Sequence, residues 1–95
     1  MKIELDGSII KSEVDFHSQL STALAVGEYY GNNLNALWDL LSTNIERPVE
    51  LVWKNSSESK NNMGDVYDKI ISILDRVMAQ DESFGWDEKF TYALI

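Results

Sequence analysis

Sixteen carboxylates, a single imidazole and no thiol bound the chemistry open to this chain. Paired Asp and Glu side chains can divide acid and base work, but with sixteen of them close pairs arise by chance and none stands out. A nucleophilic triad would have to recruit His17, the only histidine, and nothing in the spacing brings a serine and a carboxylate to it. On a helical wheel His17 lies beside Phe16, where a satisfied or half-exposed packing role is expected. Without cysteine or a second histidine, no thiolate or imidazole cluster can hold a metal. The five glycines are too scattered for a phosphate-cradling loop. The acidic run from Asp81 to Glu88 lacks the alternating ligands and distal glutamate of a calcium loop. The expectation is a protein with no cofactor, no metal and no catalytic centre.

The informative residues lie between Tyr29 and Asn44. Leu34, Leu37, Trp38 and Leu41 recur at the i, i+3, i+4, i+7 spacing of an amphipathic helix. At about 100° per residue, Leu37, Leu41 and Trp38 fall within roughly 60° of Leu34. Ser42, Asn35 and Asp39 then fall at roughly 80°, 100° and 140°, a polar strip beside Trp38. On helix geometry alone this strip is either an ordinary solvated face or a binding face. In the second case Tyr29, Tyr30 and Trp38 offer low-entropy aromatic contacts and Asp39 offers a charge to a cationic pocket.

The elements that must position this strip are legible from periodicity and punctuation. Lys2 to Leu5 alternate as a strand. Ser12 caps a helix from about residue 13 to 24, carrying Phe16, Leu20 and Leu24, and Gly27 closes that region. Asn32 or Asn33 caps the second helix, which runs to about residue 43. Pro48 separates it from the strand Val49–Trp53. A short helix around Ser56 to Lys60 and a longer one from about 65 to 79 follow, the latter with Val66, Ile70, Ile73, Leu74 and Val77 on one side. Gln80 to Glu88 reads as a loop, in which Phe84 and Trp86 either anchor to the core, the favoured reading, or contact a partner. Phe90 to Ile95 reads as a final strand. Successive strands are separated by about 35 to 45 mostly helical residues, which favours parallel pairing. The expected fold is α/β: one domain over residues 1–95, with a small three-stranded parallel sheet and three to four packed helices.

The net charge of −8 disfavours nucleic acid and anionic membranes as partners and favours cationic ones. No apolar run approaches the length of a membrane span, and the N-terminus lacks the apolar stretch of a secretion signal, so a cytoplasmic location is expected.

The run Tyr29-Tyr30-Gly31-Asn32-Asn33-Leu34-Asn35-Ala36-Leu37-Trp38-Asp39 resembles the signature of the barstar family of ribonuclease inhibitors. The similarity extends over nearly the whole chain and is weakest at 54–64 and 80–88. The resemblance implies a monomer that binds one copy of a secreted microbial, guanyl-preferring ribonuclease of the barnase type. Asp39 would sit in the pocket that holds an RNA phosphate, with Tyr29, Tyr30, Asn33, Asn35, Trp38 and Ser42 around it. Four positions depart from the family pattern. Asn35 stands where an acid is expected, and Thr43-Asn44 replace a glycine-tryptophan pair. Arg76 stands where an acidic contact is expected, leaving its neighbour Asp75 as the candidate. These departures keep open an alternative, a barstar-like immunity module directed at a different toxin or a non-nuclease partner.

Overall fold

The computed structural model describes residues 1–27 and 30–95. In chain order the elements are β1 (Lys2–Asp6), α1 (Glu13–Leu24), α2 (Leu34–Thr43), β2 (Val49–Lys54), α3 (Ser56–Met63), α4 (Asp65–Ser83) and β3 (Phe90–Leu94). The three strands form one parallel sheet in the order β1-β2-β3, as the long helical crossovers require. Leu5 pairs with Trp53 and Leu51 with Tyr92 across the central strand. Leu51, Val52 and Trp53 are consecutive and all buried, the pattern of a parallel strand covered on both faces.

Local chemistry starts and stops the helices where expected, with two adjustments. Ser12 caps α1 by accepting from the Asp15 N–H, and Asn33 caps α2 by accepting from the Ala36 N–H. The first helix ends at Leu24, as expected, but its C-cap is Ala25, in the left-handed region at φ 55°, and not Gly27. Both the Ala25 and Val26 N–H groups turn back on carbonyls of the last turn, which offsets the strain of a Cβ in that conformation. The fourth helix runs to Ser83, a turn further into the stretch expected to be a loop. The reason is the role of that extra turn: Asp81 is fully buried there and takes hydrogen bonds from two other parts of the chain.

Trp53 is fully buried at the centre of the core, its ring 5.1 Å from Phe16 of α1 and 5.2 Å from Tyr67 of α4. Its indole N–H donates to the Ser59 hydroxyl at 3.2 Å, and Ser59 donates to the Gly7 carbonyl at 3.0 Å. This relay ties the otherwise polar α3 to the turn after β1. The same turn is closed by Gly7, whose N–H meets the Lys54 carbonyl at 2.6 Å. A Cβ at Gly7 would lie 2.3 Å from the Asn55 carbonyl oxygen and 2.7 Å from that of Lys54. Both are backbone atoms and neither can swing aside. Gly7→Ala is therefore expected to destabilise the fold by about 1–3 kcal/mol, read as a lower urea midpoint; an unchanged midpoint would show that the β1 turn opens freely.

Candidate functional site

The second helix is divided sharply between its two sides. Leu37 and Leu41 are fully buried and Leu40 nearly so, while Asn35, Asp39, Thr43 and Asn44 are exposed. Trp38 is half-buried between these sides. Asp39 is thus presented on a rigid element whose other side is locked into the core. Its backbone carbonyl accepts from the Thr43 hydroxyl at 2.8 Å and the Asn44 amide at 3.2 Å. Its carboxylate has no ion-pair partner among the described residues. Beside it lies a concavity of about 440 Å³ that Val26, Ala36, Leu40 and Asn44 help to line.

The structure distributes the expected site residues unevenly. Asn35, Trp38 and Asp39 share the accessible side of α2. Asn33 is exposed, but its side-chain oxygen caps α2 and its amide donates to the Gly31 carbonyl at 3.2 Å, so its work is to shape the entry to the helix. Tyr30 is corrected from a surface contact to a core residue: it is buried and its hydroxyl meets His17 Nδ1. His17 Nε2 lies 2.9 Å from a Glu13 carboxylate oxygen. A neutral imidazole that accepts from Tyr30 and donates to Glu13 satisfies all three groups, which is the packing role expected of His17. Burial, followed by the nearby Glu13 charge, pushes the Tyr30 phenol above its ordinary range. Ser42 is likewise corrected. It is nearly buried, because α4 packs against it and Gln80 donates to its carbonyl at 3.0 Å. Tyr29 lies outside the described residues.

At the α4 end of the site the structure exchanges two neighbours. Asp75 is exposed but accepts from the Tyr92 hydroxyl of β3. Burial, then Asp75, pushes that phenol up to about 12. Arg76, not Asp75, reaches α2, its guanidinium 4.5 Å above the Trp38 ring. The outer face therefore carries a cation stacked on Trp38 as well as the free carboxylate of Asp39.

A second feature was not anticipated from the sequence. Arg47 forms a fork with Asp81, Nε to Oδ2 at 2.9 Å and Nη2 to Oδ1 at 3.1 Å, and donates from Nη1 to the Ile45 carbonyl at 2.8 Å. Asp81 also accepts from the Phe90 N–H at 2.7 Å. Burial pushes the Asp81 carboxyl up, but the guanidinium and this N–H outweigh it and hold the group below the ordinary carboxylate range. Phe84 and Trp86 do not anchor the following loop in the core: they are 58% and 41% exposed, pack on each other at 5.0 Å, and Trp86 lies 5.6 Å from the Arg47 guanidinium. The only sequence signals for this arrangement were an arginine before the sole proline and an acid at the head of the stretch read as a loop. Among the described residues no cluster of three or more His, Asp or Glu side chains is placed to hold a metal, and no helix is long and apolar enough to cross a membrane.

Fold and site together define a small α/β protein in which one helix presents the Asp39 carboxylate beside a half-buried Trp38 that carries the Arg76 guanidinium on its ring. A family profile described as "Barstar (barnase inhibitor)" matches residues 1–93. A protein of Bacillus subtilis (strain 168) named "Putative ribonuclease inhibitor YrdF" is 35% identical over 81 residues, covering 85% of this chain and 87% of its own length. The chain belongs to the barstar family.

The Arg47–Asp81 fork carries its own prediction. Arg47→Ala strands a buried carboxylate and is expected to cost about 3–5 kcal/mol. The double variant with Asp81→Ala should lose less than the sum of the two single variants in urea unfolding; strict additivity would contradict a direct pair. Because the folded Asp81 carboxyl titrates below its unfolded value, its contribution is complete above about pH 4 and disappears as the pH falls through the folded value. The acid loss of stability should accordingly be shallower in Asp81→Asn than in the wild type.

Proposed function

We propose that this protein is an inhibitor, not an enzyme, and that it binds one molecule of a secreted microbial ribonuclease of the guanyl-preferring barnase type. It meets that nuclease in the cytoplasm before export and needs no cofactor. The observation that carries this reading is the Asp39 carboxylate, exposed beside Trp38 and without an ion-pair partner among the described residues. A ribonuclease active site is cationic because it holds polyanionic RNA. A protein of net charge −8 is steered toward such a site, and a carboxylate seated among arginines there forms short, charge-assisted bonds. The matched family's description and the name of the Bacillus subtilis relative support the same reading. Inhibition follows from occlusion: the outer side of α2 fills the cleft, and Asp39 takes the place of a phosphate. Asn35 and Trp38, on the same side of α2, meet the nuclease with Asp39, as does Tyr29, and Asp75 lies toward the α4 end; Tyr30, Asn33 and Ser42 support the helix from behind.

A second reading has one specific observation in its favour. Arg76 places a positive charge over Trp38, on the face that would meet a cationic cleft. That arrangement suits a family member whose partner is a different toxin, or a protein other than a nuclease.

Titration of a barnase-type ribonuclease should give complete inhibition at a 1:1 ratio. Each charge-assisted hydrogen bond is worth about 1.5–3 kcal/mol, so Asp39→Ala is expected to weaken inhibition by roughly tenfold or more. A nuclease that stays active in stoichiometric excess of the wild-type protein would reject the first reading. Recovery by affinity capture of a 1:1 partner without nuclease activity would establish the second.

A further inference from the structure

Beside the Arg47–Asp81 fork lies a groove of about 790 Å³ that the proposed function leaves unassigned. Thr43 and Ile45 line it from the end of α2 and the segment that follows, and Phe84 and Trp86 from the loop after α4. Asp87 and Glu88 also line it. Three properties define what it can receive. Its aromatic rings are unusually exposed for their size and are held as a pair. Its one cation, Arg47, is already neutralised by the buried Asp81, whereas Asp87 and Glu88 have no ion-pair partner among the described residues. And it opens next to the Asp39 face, since Thr43, which lines it, is exposed one helical turn beyond Asp39 on α2.

We infer that this groove is a second docking site, which receives a lysine- or arginine-bearing surface loop of the same partner that Asp39 engages. Exposed aromatic faces next to uncompensated carboxylates suit a cationic side chain with an alkyl stem: the stem covers the rings, and the charged head meets both the ring faces and the acids. Free of such a partner, the aromatic pair leaves apolar surface in water; on docking, that surface is covered at the edge of the interface. The inference rests on the proposed inhibitor function and extends it, placing affinity outside the residues that carry the family signature.

The test uses the full-length protein and a barnase-type ribonuclease, with binding followed by stopped-flow and calorimetry. Phe84→Ala/Trp86→Ala should raise Kd by roughly tenfold or more, chiefly through faster dissociation. Asp87→Asn/Glu88→Gln should slow association and flatten its salt dependence. All four side chains are exposed, so both variants should keep the wild-type unfolding midpoint. In 5-fluorotryptophan-labelled protein the Trp86 resonance, assigned with Trp86→Phe, should shift to saturation at one equivalent of nuclease. Wild-type affinity in both variants, with Asp39→Ala still defective, would overturn the groove assignment and leave the inhibitor reading standing. Failure of the wild-type protein to bind the nuclease at all would overturn both. A Trp86 resonance that moves with the protein's own concentration, without nuclease, would assign the groove to a second copy of this chain and overturn the inference.

Discussion

One buried ion pair fixes how the parts of this molecule meet. Arg47 follows α2, Asp81 lies in the last turns of α4, and the Phe90 N–H that shares the Asp81 carboxylate begins β3. Removing two charges from water is expensive, and a fork of this kind adds little net stability over well-packed apolar side chains. What it imposes is geometry, because every lone pair and proton must find its partner at once. With the guanidinium also bound to the Ile45 carbonyl, the segment after α2 is held against α4, and Phe84 and Trp86 beyond it stay exposed. The exposed aromatic pair and its groove are consequences of that arrangement.

Asp81 and Asp39 show how one side chain serves opposite ends. Asp81 is buried, paired and hydrogen-bonded on both oxygens, and its charge has no influence left to exert on a visitor. Asp39 is exposed, has no ion-pair partner among the described residues, and is fixed in place by the burial of Leu37 and Leu41 on the opposite side of its helix. Such pre-organisation lets a partner meet the charge without first ordering it. The Tyr30–His17–Glu13 network does comparable work one step removed, by tying the segment before α2 to α1.

Much of this was legible in the sequence because it is encoded locally. Ser12 and the Asn32–Asn33 pair announced two helices, the i, i+3, i+4 stripes of α2 and α4 identified their buried sides, and the helical crossovers implied parallel strands. The outward placement of Asn35 and Asp39 followed from 3.6-residue geometry, and the run from Tyr29 to Asp39 pointed to the family. What was misread depends on partners distant in sequence. The wheel placed Ser42 in the open strip because it cannot register Gln80, 38 residues away. Tyr30 looked like an interface aromatic because nothing local reveals its pairing with His17, 13 residues earlier. The last turn of α4 read as loop, and Phe84 and Trp86 as anchors, because the link between Arg47 and Asp81 spans 34 residues.

The central claim is that Asp39 enters the nuclease cleft in place of a phosphate. It is tested most directly by measuring binding to a barnase-type ribonuclease while guanosine 3′-monophosphate occupies that cleft. Occlusion predicts strict competition, with the apparent Kd of the protein rising linearly with nucleotide concentration and the competition losing force in Asp39→Ala. An affinity independent of nucleotide, in a complex that nonetheless forms at 1:1, would place the contact outside the active site and contradict the account.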